Sequence, residues 1–200
     1  MPRARDPARR IRSVCVYCGS ADAVDERYRA AAAELGRSLA AAGITMVFGG
    51  GHIGLMGIAA DAALAGGGRV IGVIPAALRD RELAHGRVGE LVVVDTMHER
   101  KRIMAERSDA FAVLPGGIGT LDEFFEIMTW RQLGLHNKPI FLVDAAGYWG
   151  PLRALLDHIV AQQFAADLAP RLVEIVSDVA TVMLRLEWAA PGGDTRSDLL

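Results

Sequence analysis

Between residues 13 and 188 the chain alternates two kinds of hydrophobic pattern. Short runs of consecutive apolar, often β-branched residues fall at 14–17, 44–48, 70–74, 91–94, 110–114 and 140–143. A strand covered on one face alternates apolar and polar positions, whereas a strand buried on both faces does not. These runs do not alternate, so they predict strands sandwiched between layers. Longer segments with helical spacing lie between or after them, over about 25–42, 55–64, 97–107, 120–133, 150–163 and 178–188. Gly43 stops the first helix and the glycine run 66–68 stops the second. Strand–helix alternation of this kind predicts an α/β domain with a parallel sheet. Residues 75–89 lack periodicity and are expected to be a loop at a strand's C-terminal end. No internal repeat interrupts the pattern. The expected organisation is a basic arm over 1–12, one folded domain over 13–188, and a flexible tail over 189–200.

Composition narrows the class. The 200 residues are 52% hydrophobic and 23% charged, which excludes a disordered chain. Lys and Arg number 22 against 24 Asp and Glu, a net charge of −2, so no overall basic field points to nucleic acid. No stretch approaches the ~20 apolar residues of a membrane-spanning helix. Arg3, Arg5, Arg9, Arg10 and Arg12 precede an apolar run, but 14–17 is too short for a signal-peptide core. A chain this long buries roughly 70% of its unfolded surface and needs no disulfide. Cys15 and Cys18 therefore suit a reducing compartment, and a cytoplasmic location is expected.

Three predicted strands end in glycine-rich turns that lead into helices. They are Cys18-Gly19-Ser20, Gly49-Gly50-Gly51-His52-Ile53-Gly54 and Pro115-Gly116-Gly117-Ile118-Gly119-Thr120. In a doubly wound sheet such turns gather at the carboxyl edge, where ligands bind. Glycine lets the backbone approach an anion, and the helix start offers free N–H groups. One such turn is ordinary chain reversal; three together point to a phosphate-bearing ligand. No Gly-Lys-Ser/Thr is present, which excludes a P-loop. Gly49, Gly51 and Gly54 match the dinucleotide fingerprint, but the following strand ends Val73-Ile74-Pro75 without the acid that would hold a ribose. A mononucleotide fits better than NAD.

Other candidates weigh less. Cys15 and Cys18 have C-x-x-C spacing, but no second pair completes a zinc site, and core cysteines are the expectation. His98-Glu99 opens like a zinc-protease motif, yet position 102 is Arg. His52, His85, His136 and His158 show no ligand spacing and are expected at the surface or in loops. No metal or cofactor is expected. Arg100-Lys101-Arg102 sits near a helix start, where positive charge opposes the helix dipole unless an anion is bound. Glu123 has two readings. Thr120-Leu121-Asp122-Glu123 has the form of a capping box, and the same carboxylate is a candidate acid–base group.

Taken together, Pro115-Gly116-Gly117-Ile118-Gly119-Thr120-Leu121-Asp122-Glu123 resembles the PGGxGTxxE signature of the Lonely Guy family, the cytokinin riboside 5′-monophosphate phosphoribohydrolases once labelled lysine decarboxylases. Met97-His98-Glu99-Arg100-Lys101 resembles its second motif. The turns opening at Val16 and Gly49 and the stretch from Trp130 to Pro139 are similar too, so the resemblance covers about 13–188. Ala21 stands where many relatives carry a second serine. The resemblance implies a single Rossmann-like, doubly wound domain with a mainly parallel sheet flanked by helices. It implies hydrolysis of N6-substituted adenosine 5′-monophosphates to free base and ribose 5-phosphate, with Arg100 and Glu123 catalytic. Substrate binding would fall to Ser20, Gly50, Gly51, Glu82, Met97, Arg100, Lys101, Gly116, Gly117, Ile118, Gly119, Thr120, Leu121, Asp122 and Glu123. It also implies a homodimer.

Two rivals remain in view. A lysine decarboxylase needs pyridoxal phosphate on a lysine, and the chain has only Lys101 and Lys138. A nucleotide sensor would bind without turnover, but anion binding alone gains nothing from a nearby carboxylate. Around the Trp130 helix, Phe124, Phe125, Ile127, Met128, Trp130, Leu133 and Leu135 exceed one core-facing stripe, which independently predicts a partner surface.

Overall fold

The computed structural model describes residues 10–79, 84–165 and 172–189. Within them, β1 (Ser13–Tyr17), β2 (Thr45–Phe48), β3 (Val70–Pro75), β4 (Glu90–Val94), β5 (Ala110–Val113), β6 (Ile140–Val143) and β7 (Glu174–Val176) form one sheet. Its order is β4-β3-β2-β1-β5-β6-β7, and every neighbouring pair is parallel. Parallel neighbours need long crossovers. Here these carry α1 (Glu26–Ala41), α2 (Gly54–Ala65), the one-turn α3 (Ala76–Leu78), α4 (Met97–Glu106), α5 (Ile118–Gln132) and α6 (Gly150–Ala161), while α7 (Val179–Trp188) follows the last strand. The doubly wound α/β fold expected from the sequence is thus present.

Two hydrophobic cores explain why the strands do not alternate. Val14 and Val16 of β1 face one core, with Leu35 and Leu39 of α1, Leu55 of α2 and Val182 of α7. Cys15 and Tyr17 face the other, with Met104 of α4, Phe124 and Ile127 of α5, and Leu156 of α6. Both faces of a central strand are therefore buried, and every position is apolar. On the first face α1 and α2 meet backbone to backbone: a methyl group on Gly36 would sit 2.1 Å from the Ala59 carbonyl oxygen. Cys15 and Cys18 are buried and unpaired, and burial pushes both thiols far above their ordinary range.

Several boundaries differ from expectation. β7 carries too little pattern to be predicted, being three residues that begin with an exposed Glu. The region expected to be a loop contributes Pro75 to β3 and then the turn of α3. α5 begins at Ile118, two residues before its predicted start. Ile11 already packs in the first core, and the Arg12 and Ser13 N–H groups donate to Asp109 Oδ2 at 2.7 and 3.0 Å. Residues 1–9 of the expected arm and 190–200 of the expected tail lie outside the described residues. Among the described residues no helix is long and apolar enough to cross a membrane.

Candidate active site

β1 and β5 are neighbours whose chains leave in opposite directions, to β2 and to β6. This switch point opens a crevice beyond their carboxyl ends. The three glycine turns meet there and are hydrogen-bonded to one another. Gly19 N–H donates to Pro115 O at 3.0 Å, Leu55 N–H to Gly19 O at 3.0 Å, and Gly54 N–H to Asp22 Oδ1 at 2.8 Å. Close approach, as well as turning, demands two of the glycines. A Cβ on Gly49 would lie 1.7 Å from Arg100 Nη2, and one on Gly116 would lie 2.1 Å from Thr120 Oγ1. The resulting cleft has a volume of about 350 Å³, in the range of small-ligand sites.

The helix ends around it are not equivalent. Asp25, Thr96 and Asp178 cap α1, α4 and α7 with their side chains. The start of α2 is satisfied by Asp22 and Gly19, as just described. α5 has Gly117 at its N-cap and no side-chain cap, and Gly117, Ile118, Gly119 and Thr120 line the cleft. The first N–H groups of a helix have no intrahelical acceptor and carry its positive dipole end. The capping box expected at Thr120 and Glu123 is therefore not formed. Thr120 is already inside α5, and Glu123 lies in its second turn. A glycine N-cap upstream displaces the predicted one. A box-like pattern occurs instead at α4, where Thr96 Oγ1 accepts from Glu99 N–H at 3.0 Å and Glu99 Oε2 accepts from Asp95 N–H at 3.2 Å.

Glu123 faces Arg100. Arg100 Nη1 donates to Glu123 Oε1 at 3.1 Å, and both residues are 7% exposed. The guanidinium also donates from Nε to Val73 O at 3.1 Å and from Nη2 to Gly49 O at 3.2 Å, carbonyls near the ends of β3 and β2. Burial pushes the Glu123 carboxyl up to about 7; Arg100 and Lys101 oppose that rise, while Asp122 and Glu126 add to it. Lys101 Nζ bridges Asp122 Oδ2 and Glu126 Oε1, each at 3.0 Å. Burial works against its charge, but the two carboxylates outweigh it and hold the ammonium above the usual lysine range. The cleft floor thus presents a carboxyl poised near neutrality beside a fixed guanidinium.

Of the residues singled out from the sequence, Ser20, Gly51, Arg100, Gly117, Ile118, Gly119, Thr120 and Glu123 line this cleft. The others do not. Gly50 lies behind the second turn, where its carbonyl accepts from His85 N–H. Gly116 lies under Thr120, and its carbonyl accepts from Tyr148 Oη at 2.7 Å. Lys101 and Asp122 pair across α4 and α5, Leu121 packs on the second core, and Met97 is exposed at the start of α4. Glu82 lies outside the described residues. Cys18, Gly19, Gly49 and Ile53 also line the cleft, from turns that the sequence places at the ligand edge, whereas sequence reasoning missed Met56, Ile74 and Leu78, which with Ile53 form an apolar wall. Ile74 and Met56 look like core in the sequence, since nothing in their type distinguishes a cleft wall from an interior.

His85 and His136 lie in loops, as the sequence suggested, but not at the surface. His85 and His136 are buried, at 3% and 4% exposure, because each ring has partners within the fold: Asp61 for His85, and the Ile127 carbonyl and Lys138 N–H for His136. Among the described residues no cluster could hold a metal ion. Neither lysine lines the cleft: Lys101 is engaged as above, and buried Lys138 donates from Nζ to Ala105 O at 2.8 Å. The residues present do not fit a cofactor bound to lysine.

The chain is similar to known proteins. A family model described as possible lysine decarboxylase matches residues 56–186. A rice (Oryza sativa subsp. japonica) protein named cytokinin riboside 5′-monophosphate phosphoribohydrolase LOG is 46% identical over 91% of this chain and 75% of its own length. The Arabidopsis thaliana protein named cytokinin riboside 5′-monophosphate phosphoribohydrolase LOG3 is 42% identical over 91% of this chain and 85% of its own. Among solved structures, the molybdenum cofactor carrier protein of Chlamydomonas reinhardtii is 24% identical, with a TM-score of 0.68 over 90% of this chain and 98% of that one, a likeness of fold. On the sequence matches, the chain belongs to the Lonely Guy family of phosphoribohydrolases, the family whose model keeps the lysine decarboxylase description.

Proposed function

We propose that the chain hydrolyses the N-glycosidic bond of N6-substituted adenosine 5′-monophosphates, releasing the free base and ribose 5-phosphate. The observation that carries this reading is the buried Arg100–Glu123 pair on the floor of a cleft whose rim is an uncapped helix start. The names of the relatives supply the substrate class.

In this reading the 5′-phosphate sits at the start of α5, against the N–H groups of Ile118, Gly119 and Thr120. Ser20 and Gly51 complete the polar rim, and Ile53, Met56, Ile74 and Leu78 offer the base an apolar surface. Cleavage of an N-glycoside passes through an oxocarbenium-like state with positive charge on the ribose. Ionised Glu123 stabilises that charge and accepts a proton from the attacking water. The water oxygen bonds to C1′ as the C1′–N bond breaks with its electron pair going to the base nitrogen; the base takes up one proton for the one that Glu123 accepts from water, so water is the only reactant consumed. Arg100 holds Glu123 in one orientation, and a carboxyl near 7 is matched to proton transfer at neutral pH. For Glu82 we propose the substrate-binding role that the family resemblance implies; for Gly50, Met97, Lys101, Gly116, Leu121 and Asp122, which do not line the cleft, we propose support of the binding residues in place of direct binding, Lys101 by holding α4 to α5 through Asp122 and Glu126.

The test is a panel of N6-isopentenyl AMP, AMP and the matching nucleosides, with released base followed by chromatography. Monophosphates are cleaved and nucleosides are not. Comparable nucleoside turnover would remove the phosphate site from the reading, and AMP bound but left intact would favour a sensor. We also propose a homodimer, on narrower ground than the sequence offered. Phe124, Ile127, Met128 and Trp130 are buried within the chain itself, so the apolar excess reduces to half-buried Phe125 and, just beyond the helix, to half-buried Leu135 and to Leu133, which is 68% exposed.

A further inference from the structure

Behind the second glycine turn, on the side away from the cleft, lies a group of polar residues to which the proposed function gives no task. His52, Asp61, Ala84, His85, Gly86 and Arg87 line a hollow there. His85 is its centre. The ring stands edge-on to Phe48, with centroids 6.2 Å apart, and both ring nitrogens are engaged. Nδ1 accepts from Arg87 N–H at 3.3 Å, so the proton is on Nε2, which donates to Asp61 Oδ1 at 2.9 Å. Arg87 also pairs with Asp61.

The backbone of the same segment returns to the glycine turn. His85 N–H donates to Gly50 O at 2.8 Å, and Ala84 forms an antiparallel bridge with Gly51. Asp61 belongs to α2, the helix that the turn opens. A closed ring results: from Gly51 along α2 to Asp61, across to the His85 side chain, and back through His85 N–H to Gly50. The peptide before Gly50 carries the Gly49 carbonyl, which accepts from Arg100 Nη2, and Arg100 in turn holds Glu123. Gly50 has φ +74°, and a Cβ there would lie 3.0 Å from the Ile74 Cβ, so the turn is pressed against β3 and has little room to find another pose.

We propose that His85, held by Asp61, is a positioning residue that sets the second glycine turn and, through the Gly49 carbonyl, the Arg100–Glu123 pair. This rests on the catalytic role assigned above to that pair. His85 touches no substrate, and its action is to keep Gly49 O where the guanidinium needs it. Small misplacements of a reacting group, caused from a distance, cost up to about a hundredfold in rate. His85→Ala and Asp61→Ala are therefore expected to lower kcat by roughly tenfold to a hundredfold. KM for the monophosphate rises by a smaller factor than kcat falls, because the start of α5 is untouched and only Gly51 of the polar rim belongs to the turn that shifts. Asp61→Asn keeps an oxygen to accept from Nε2–H, and His85→Gln keeps a donor for Asp61, so both recover most of the rate.

A second readout does not depend on turnover. The Glu123 carboxyl is followed by ¹³C NMR titration in wild type and variants. With Arg100 displaced, Glu123 loses its nearest cation and keeps Asp122 and Glu126 as neighbours, so its midpoint moves upward in the two alanine variants. Wild-type kcat and an unmoved Glu123 titration in both alanine variants, with only Tm lowered, would overturn the proposal. So would an Asp61→Asn variant as impaired as Asp61→Ala. If the wild type cleaves no monophosphate, the functional reading fails separately, and the titration still decides the role of His85. Should His85→Ala fail to fold, the Asp61 pair of variants carries the test.

Discussion

Glu123→Gln separates the two readings of this residue through stability alone. Burial raises the Glu123 carboxyl from 4.5 to about 7 in the folded chain. A carboxyl raised on folding contributes stability that is fully present below its unfolded value and lost as pH climbs through the folded one. Between those values the folded chain holds a proton that the unfolded chain has released. Each pKa unit separating the two states is worth about 1.36 kcal/mol, so the loss from acid to alkaline pH is about 3 kcal/mol. Gln has nearly the same shape and no such proton, so its stability lacks that decline. Linkage therefore makes Gln gain about 2–3 kcal/mol on wild type between about pH 5 and pH 8.5. Because this is a difference between two conditions, costs of the substitution that do not depend on pH cancel. Urea unfolding of both proteins at matched salt, with equal m-values, measures it. A helix-capping Glu is held below its usual range and would give the opposite slope. Parallel curves, or a Gln variant that loses ground to wild type as pH rises, would refute the buried, poised carboxyl.

The same variant is expected to lose about a hundredfold or more in kcat, since an amide offers neither charge nor basicity; near-wild-type turnover in a single-turnover assay would remove Glu123 from the chemistry. Gly49→Ala places a methyl 1.7 Å from Arg100 Nη2, so activity falls far more than Tm, and an active, stable Ala variant would contradict the placement of Arg100 against this turn. Arg100→Lys keeps the charge but cannot span Glu123, Val73 O and Gly49 O together, so kcat falls while KM for the monophosphate holds; a change confined to KM would put the phosphate on Arg100. Light scattering at micromolar concentration is expected to give a dimer, and a monomer would contradict that assembly.

Most of the architecture is legible because burial on both faces leaves a direct trace in β1, β2, β3, β5 and β6: nearly every residue is apolar. β7 leaves no such trace, since an edge strand of three residues needs only one buried position. The site is legible where chemistry constrains residue type, in the glycine turns and in Arg100 and Glu123. It is not legible where a residue acts through tertiary placement. Leu78 becomes cleft wall only because α3 follows β3, and His85 is buried only because Asp61 comes to it from α2. The capping box fails for a related reason. Local spacing puts Thr120 and Glu123 in register for it, but Gly117 starts the helix earlier and carries the carboxylate inward to Arg100. A local rule thus loses to a partner 23 residues away in sequence.

Arg100 carries that argument furthest. Beside three glycine turns a guanidinium reads as a phosphate clamp, and its geometry suits one. In the fold, however, Nε, Nη1 and Nη2 each already have an acceptor inside the protein. Turning those three N–H bonds to a phosphate would leave the buried Val73 and Gly49 carbonyls without partners, a penalty of about 1–3 kcal/mol for each, so only the second N–H on Nη1 and on Nη2 is free of that cost. The start of α5 bears no comparable obligation, since its leading N–H groups lack an intrahelical acceptor and no side chain caps it. The division of labour follows from those two facts. In the proposed function, phosphate is drawn to the helix start, and the charge of Arg100 is used to hold one carboxylate. That carboxylate stays partly protonated at neutral pH because burial outweighs its cation. An arginine committed to phosphate would have left Glu123 buried and unpaired, protonated well above neutrality and useless as a base.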